Sequence, residues 1–291
     1  MKYELKCADA IATVDSIGAE LISFKKDKEY LWYGDEKYWK GHSPVLFPNP
    51  SVLLNDKIKF YGKEYEIPKH GIVRGKEFSV EKITENSVIF SFSSSDESKK
   101  LYPFDFKLFV EHSINKNGFV TKYTVKNLDT RSMYFCIGAH PSFLCPMEEN
   151  ENFEDYDIVF EKNEDAPAYR THNGLYMDMD KYDILLNNTN VLPLKYSYFD
   201  EDSCIFKDLN SSYIKLINRS TQKGIKLNFD SFEALVVWTP EAKHAPFICI
   251  EPWHGIPALK DDSGNFEDKP YSIKLDPGKE YSTSFSVEIL Q

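Results

Sequence analysis

Apolar and polar residues alternate with a period of two along most of the chain. The segment 281–289 is the clearest case, because aromatic and β-branched residues at its odd positions alternate with serines and a glutamate. Successive side chains of a strand point to opposite faces of a sheet, so this pattern predicts a strand with one buried face. Segments 104–111, 119–126 and 225–229 repeat the pattern and predict three more strands.

Shorter apolar runs that are bounded by turn-forming residues predict further strands. They lie at Ala10–Val14, Val88–Phe92, Met133–Ile137, Ile158–Phe160, Tyr213–Ile217, Ala234–Trp238 and Phe247–Ile250. Helical periodicity is nearly absent, and the aromatic content of 15% suits the pleated surface of a sheet. The sequence therefore predicts an all-β fold, either a sandwich or a barrel.

The strand pattern continues evenly to the end of the chain. No linker rich in Pro, Gly or Ser divides the sequence and no internal repeat is evident, so we expect one domain over residues 1–291. A chain of 291 residues and 33.8 kDa can bury a large core without disulfides or a structural metal. The acidic, turn-rich segment Pro146–Asp157 predicts a long surface loop.

Charge and composition narrow the class of partner. The chain has 35 Lys and Arg against 46 Asp and Glu, and its net charge of −11 disfavours nucleic acid as a partner. The sequence shows no secretory signal, and its apolar stretches are far shorter than the ~20 residues that span a bilayer, so we expect no membrane partner. Five cysteines without C-x-x-C spacing indicate reduced thiols in a cytoplasmic protein. A small molecule is the expected partner, and the oligomeric state stays open.

The common local motifs of nucleotide and metal chemistry are absent. The sequence has no G-x-G-x-x-G, G-x-x-x-x-G-K-[ST], G-x-S-x-G or H-E-x-x-H, and its seven histidines lack the close spacing of metal ligands. A metal assembled from distant residues stays open, although nothing in the sequence favours it. We expect chemistry that needs no cofactor and no metal.

Lys69–Gly75 is the first of three segments that place polar side chains beside rigid or turn-forming neighbours. It holds His70 and Arg74 next to two glycines, which let a backbone and a ligand approach each other closely. Two interpretations stay open. Either His70 and Arg74 bind a small molecule, or the segment is a turn with two exposed polar residues.

Met133–Phe143 is the second segment. His140 follows a buried-looking strand and precedes Pro141, which restricts His140 to an extended backbone and so fixes the direction of its side chain. Histidine titrates near neutral pH, so a fixed imidazole can donate or accept a proton. A purely structural histidine is the alternative.

Pro246–Pro257 is the third segment. Strand alternation places Glu251 on the same face as Phe247 and Cys249, beside Trp253. A carboxylate on an apolar face must be paired, hydrogen-bonded or raised in pKa, and a raised pKa is typical of a general base. A structural ion pair is the alternative.

Taken in order, these and other segments resemble the aldose 1-epimerase (mutarotase) family, and in particular its bacterial LacX-like branch. The matching segments are Gly18–Phe24, Trp32, Ser43–Pro48, His70–Arg74, Gly138–Phe143, Asp202–Phe206, Trp238–Pro240, Ala245–Gly255 and Leu275–Glu280. The family fold is a large antiparallel β-sandwich, the galactose mutarotase-like supersandwich. The resemblance implies an isomerase that interconverts the α and β anomers of a free aldose without a cofactor.

The resemblance also implies roles for the two central residues. Mutarotation opens a hemiacetal ring and recloses it on the other face of C1, which requires an acid at the ring oxygen and a base at the C1 hydroxyl. By resemblance, His140 is the acid and Glu251 is the base. Their ordinary pKa values of ~6.5 and ~4.3 suit an imidazolium donor and a carboxylate acceptor.

Five further residues are implied to bind the sugar. His70 and Asp202 match polar positions of the family that contact sugar hydroxyls, and Arg74 matches a nearby polar position of this branch. Trp238 and Trp253 can stack on the apolar face of the ring. Because acidic residues precede Asp202, a solvated acidic turn is its alternative interpretation. Core packing is the alternative for the two tryptophans.

One segment departs from the family pattern. Relatives commonly carry an arginine a few residues after the Phe-Pro pair, but residues 47–54 contain none, and we expect Asn49 to replace it. An arginine is the natural group to hold a phosphate, so its absence disfavours a hexose-6-phosphate 1-epimerase, which stays an alternative. A catalytically silent carbohydrate-binding or regulatory protein is a second alternative. A glycosidase that pairs Glu251 with Asp202 is the third.

Overall fold

The computed structural model describes residues 1–291, and β-strands dominate it. Strands account for 51% of the residues and helices for 6%, which confirms the all-β prediction. The strands are β1 (Lys2–Cys7), β2 (Ala10–Asp15), β3 (Glu20–Lys25), β4 (Val45–Leu46), β5 (Lys57–Phe60), β6 (Lys63–Glu66), β7 (Ser79–Ile83), β8 (Ser87–Ser93), β9 (Phe106–Asn115), β10 (Gly118–Asn127), β11 (Met133–Phe135), β12 (Ile137–Ala139), β13 (Ser142–Leu144), β14 (Tyr156–Glu164), β15 (Ala168–His172), β16 (Tyr176–Asp183), β17 (Thr189–Pro193), β18 (Cys204–Lys207), β19 (Tyr213–Asn218), β20 (Gly224–Asn228), β21 (Ala234–Trp238), β22 (Phe247–His254), β23 (Ile273–Leu275) and β24 (Glu280–Leu290). Helical segments are α1 (Asp96–Lys99) and four 3-10 turns at Leu54–Asp56, Phe153–Asp155, Tyr196–Phe199 and Phe266–Asp268.

Two large sheets form the body of the fold. One has nine strands in the order β17-β14-β19-β20-β24-β10-β9-β8-β7. The other has eight strands, seven of them in the order β16-β15-β18-β21-β22-β12-β4, while β13 also pairs with β22. The pairings within both sheets are antiparallel, and the ring centroids of Phe160 in one sheet and Phe206 in the other are 6.0 Å apart. These contacts confirm the predicted large antiparallel β-sandwich.

The core between the sheets is continuous. One cluster of 64 buried apolar residues includes members from Leu5 to Ile289, and the single domain over residues 1–291 stays a prediction. In β9, Phe106, Leu108 and Val110 are fully buried while the residues between them are half-exposed, as strand alternation predicts. Burial of each such side chain stabilises the fold by about 1.5–3 kcal/mol.

Two predicted elements differ from the structure. The prediction of a single strand at Met133–Ile137 is wrong, because the strand is interrupted at Cys136. The backbone N–H of Cys136 donates to the Pro48 carbonyl at 2.8 Å. As a result β11 pairs with β23, while β12 pairs with β22 and β4. The surface loop predicted at Pro146–Asp157 is shorter in the structure. Phe153 is already buried and stacks on Tyr196 at a centroid distance of 4.1 Å.

All five cysteines are free thiols, and four of them are buried. No helix of the structure combines the length and the apolar character that crossing a membrane requires.

Candidate active site

His140 and Glu251 face each other on neighbouring antiparallel segments. The strands on either side of His140, β12 and β13, both pair with β22, and the register is the same on the two sides. His140 therefore lies opposite Glu251, and its Nε2 is 3.4 Å from Oε1 of that residue. Two residues that are far apart along the chain meet because a single strand pairs with both flanks of His140.

Close packing fixes the position of the His140 ring. At Gly138 an added Cβ would lie 2.6 Å from Cδ1 of Trp253, so only glycine lets β12 approach β22 this closely. Trp39 stacks on the imidazole at a centroid distance of 5.0 Å, and Trp238 contacts it edge-on at 5.8 Å. The ring is therefore held between aromatic side chains.

Several polar atoms around this pair are buried without a hydrogen-bond partner. Glu251 is 2% exposed and His140 is 6% exposed. Glu251 Oε2, His140 Nδ1 and Trp253 Nε1 have no partner within the protein. Such a group costs about 1–3 kcal/mol when it stays unpaired, so a ligand rich in hydroxyl groups would gain free energy by contacting this site.

Burial controls the protonation of the pair. It lowers the pKa of His140 well below its usual value, with a further contribution from His70. It raises the pKa of Glu251 well above its usual value; the positive charge of Lys69 opposes this increase and the negative charge of Asp202 adds to it. Burial therefore favours the neutral imidazole and the neutral carboxyl group in this cavity. It disfavours the imidazolium and carboxylate that ordinary pKa values suggest.

His70 presents a hydrogen-bond acceptor to the cavity. Its Nδ1 is 2.6 Å from the Pro50 carbonyl, which can only accept, so Nδ1 carries the proton and Nε2 is free to accept. Burial, with the nearby positive charge of Lys69, lowers the pKa of His70 to about 3 and keeps the ring neutral. The ring centroids of His70 and His140 are 5.6 Å apart.

A tight turn holds His70 in place. Gly71 has a φ of +83°, and an added Cβ would lie 2.1 Å from the carbonyl oxygen of Phe47. The backbone N–H of Ile72 donates to the same carbonyl at 2.8 Å. The segment after His70 is therefore fastened to the loop that follows β4, and Arg74 lines the cavity from this segment.

Asp202 also lines the cavity rather than lying in a solvated turn. Its backbone has a φ of +71°, and its Oδ2 accepts a hydrogen bond from the Thr171 hydroxyl at 3.0 Å. The neighbouring Asp200 and Glu201 are exposed. Asp202 thus has a fixed orientation that its acidic neighbours do not share.

The cavity has a volume of about 310 Å³, and all seven residues proposed from the sequence line it. They are His70, Arg74, His140, Asp202, Trp238, Glu251 and Trp253. The lining residues that sequence reasoning did not single out are Trp39, Ser51, Val52, Lys69, Thr171, Gly174, Ser203 and Val236. Trp253 lines the cavity and also belongs to a small apolar cluster, so it packs in the core while its contact with a sugar stays a prediction.

The expectation for Asn49 is wrong. Its side chain is fully buried, donates to the Ser51 carbonyl at 2.6 Å and does not line the cavity. Asn49 therefore stabilises the loop and does not replace the missing arginine. Lys69, adjacent to His70 within the first motif, is the lining cation that sequence reasoning overlooked.

One set of side chains has the donor atoms for a metal ion. Ligand atoms of His140, Cys249 and Glu251 lie within 4.8 Å of one another, a nitrogen, sulfur and oxygen set that zinc accepts. Cys249 is fully buried and does not line the cavity, and burial raises the pKa of its thiol well above the usual value. Of the three residues, only His140 and Glu251 line the cavity.

The chain belongs to the aldose 1-epimerase family, whose sequence profile matches residues 1–288. It is 36% identical over 300 residues to the plasmid protein LacX of Lactococcus lactis subsp. lactis, with all of both chains covered. A galactose mutarotase related enzyme from Lactobacillus acidophilus has a similar structure, with a TM-score of 0.93, 28% identity and coverage of 100% of this chain and 98% of that one. A galactose mutarotase-like protein from Lactobacillus casei ATCC 334 gives a TM-score of 0.92, 28% identity and coverage of 99% and 100%. These similarities confirm the resemblance inferred from the motifs.

Proposed function

We propose that this protein is an aldose 1-epimerase that interconverts the α and β anomers of an aldose by opening and reclosing the sugar ring. The observation that carries the proposal is the 3.4 Å separation of His140 Nε2 and Glu251 Oε1 in a cavity with unpartnered polar atoms. Membership of the family supports an isomerase in general. One acid and one base are all that the reaction requires.

The pair can perform the reaction with the single proton that it holds. Sugar hydroxyls that donate to Glu251 favour its carboxylate form, so the proton moves to His140. His140 then protonates the ring oxygen while Glu251 takes the proton of the C1 hydroxyl, and the bond between C1 and the ring oxygen breaks. Rotation about the C1–C2 bond presents the other face of the resulting aldehyde, and the reverse transfers close the ring as the other anomer.

The remaining lining residues orient the sugar in this proposal. Nε2 of His70 and the carboxylate of Asp202 accept hydrogen bonds from sugar hydroxyls. Trp238 and Trp253 offer apolar surface to the ring. Positioned proton transfer accelerates a reaction by about 10²- to 10⁴-fold, a gain that can be measured above the spontaneous rate in water.

The proposal is tested by following α-to-β conversion of glucose, galactose and their phosphates by polarimetry, with the rate in buffer subtracted. We expect conversion above the buffer rate for at least one of these sugars. Sugar binding in calorimetry without conversion would instead identify a silent carbohydrate-binding protein. Release of the leaving group from an aryl glycoside would favour a glycosidase.

The pH dependence of kcat/KM reports the shifted pKa values. Activity requires one proton on the pair, so it falls when the pair gains a second proton or loses the first. The lowered pKa of His140 places the gain of the second proton below pH 6.5. The raised pKa of Glu251 places the loss of the first proton above pH 4.5. We therefore expect the acid limb of a buffer-corrected profile to have its midpoint below pH 6.5 and the alkaline limb to have its midpoint above pH 4.5. An acid limb with its midpoint at or above pH 6.5 would contradict the proposed environment of the pair.

Substitution of His70 separates binding from turnover. We expect His70→Asn to raise KM roughly 2- to 10-fold, the equivalent of one hydrogen bond of about 0.5–1.5 kcal/mol, with a smaller change in kcat. His244→Asn is the matched control, because His244 is exposed and does not line this cavity. A fall in kcat that exceeds the rise in KM would show that His70 acts in proton transfer.

A further inference from the structure

Two cations line the cavity without acidic partners. Lys69 and Arg74 flank His70 in the turn that closes one side of the cavity. Neither has a carboxylate within the 4.0 Å that defines an ion pair, whereas many other lysines and arginines of the chain do. Glu20 interacts with Arg74 through space but accepts a hydrogen bond from the backbone N–H of Ser43, and both cations also interact through space with Glu251.

The charge of the cavity is opposite to that of the chain. His70 is neutral, and burial favours the neutral forms of His140 and Glu251. Asp202 then supplies one negative charge against the two positive charges of Lys69 and Arg74. The site is positive in a protein whose net charge is −11. Since that net charge repels anions at long range, a local positive site is what an anionic ligand would need.

Asp202 and the two cations share the cavity but do not line the same neighbouring depression. Asp202 belongs to a second depression next to the first, whose acidic residues also include Asp200, Glu201 and Glu241. Lys69 and Arg74 are absent from that depression. A sugar with one anionic group is thus oriented, with its hydroxyl groups toward Asp202 and its anionic group toward Lys69 and Arg74.

The backbone that carries the two cations is fixed. His70 binds the Pro50 carbonyl, Ile72 binds the Phe47 carbonyl, and Val73 is fully buried between these contacts and Arg74. Only the ends of the two long side chains therefore lose freedom when a ligand binds. Such preorganisation lowers the entropic cost of binding.

We propose that the aldose bound here carries an anionic group, a phosphate ester or a carboxylate, and that Lys69 and Arg74 bind this group. The inference rests on the proposed epimerase function and narrows its substrate class. The arginine that is missing from residues 47–54 does not leave the cavity without cations, because the turn at Lys69–Gly75 supplies two. Two cations suit a phosphate dianion or a carboxylate, and the substrates of the test distinguish these sources.

The test compares kcat/KM for glucose, glucose 6-phosphate and glucuronate, and for galactose and galactose 6-phosphate, by saturation-transfer NMR. We expect the anionic sugars to exceed their neutral parents at least tenfold, and this ratio to shrink when the ionic strength is raised. In the double variant Lys69→Gln/Arg74→Gln we expect the ratio to fall at least tenfold, through a higher KM for the anionic sugar. Lys122→Gln is the control, because Lys122 is exposed on β10, outside the cavity.

The outcomes separate this inference from the function on which it rests. Conversion of neutral sugars with a ratio of one or less would overturn the anionic substrate and leave the epimerase function intact. A high ratio that survives in the double variant would overturn the assignment to Lys69 and Arg74. Conversion of no sugar, neutral or anionic, would overturn the proposed function itself.

Discussion

Glu251→Gln is expected to lower kcat by roughly 10²- to 10⁴-fold and to leave the Kd of the sugar within a few-fold of wild type. Glutamine has nearly the same shape as glutamate and keeps hydrogen-bonding capacity, so the cavity and its contacts persist. It cannot hold the proton that the pair must pass on, because an amide does not titrate in this range. Saturation-transfer NMR measures the exchange rate, and calorimetry measures the Kd.

The matched control for this variant is Glu233→Gln. Glu233 also contacts a buried histidine, His254, but neither residue lines the cavity. Loss of that contact can lower the melting temperature and should leave kcat unchanged. If Glu251→Gln keeps a kcat close to wild type, Glu251 is not the base.

Gly71→Ala is expected to produce the largest effect on stability among single-methyl changes near the site. A φ of +83° costs a residue with a Cβ about 1–3 kcal/mol, and the new methyl would also meet the Phe47 carbonyl oxygen at 2.1 Å. The turn must move to relieve this contact, and His70 moves with it. We expect a lower melting temperature in calorimetry and a higher KM for the sugar.

Gly75→Ala separates the backbone strain of a positive φ from the steric clash of an added Cβ. Gly75 has a φ of +68° in the same segment, but an added Cβ would meet nothing within 4 Å. This variant should show the backbone strain alone, with a smaller loss of stability and an unshifted KM. Equal melting temperatures for the two variants would show that the contact between Gly71 and Phe47 does not constrain the turn.

Strands with at least one buried face were the most predictable part of the fold. The apolar run Ala234–Trp238 has the same bounds as β21, and the alternating segment 281–289 lies within β24. Edge strands gave no such signal. All residues of β7 are exposed, so burial imposes no alternation on its sequence.

The chemistry of individual residues identified the candidate site in the sequence. The arrangement of those residues in space depends on the register in which the strands pair. The motifs around His140 and Glu251 stand out because each places a titratable group beside rigid or apolar neighbours. Alternation does not tell which strands pair, so the sequence alone could not place these two residues opposite each other. Trp39 stacks on His140 from a distant loop, and no local pattern connects the two residues.

Protonation is the property that the sequence predicted least well. Ordinary pKa values suggested an imidazolium beside a carboxylate, whereas burial favours the neutral forms of His140 and Glu251. Burial of this degree follows from the packing of β12, β13 and β21 around β22. The shift is a consequence of tertiary structure and has no local signature.

The central claim is that His140 and Glu251 act as one unit that passes a single proton. Anomer exchange measured by saturation-transfer NMR on the wild type, His140→Asn, Glu251→Gln and the double variant tests it most directly. We predict that each single change removes most of the exchange rate and that the double variant is no slower than the slower single variant. Losses that multiply in the double variant, or a wild type no faster than buffer on every sugar, would contradict the claim.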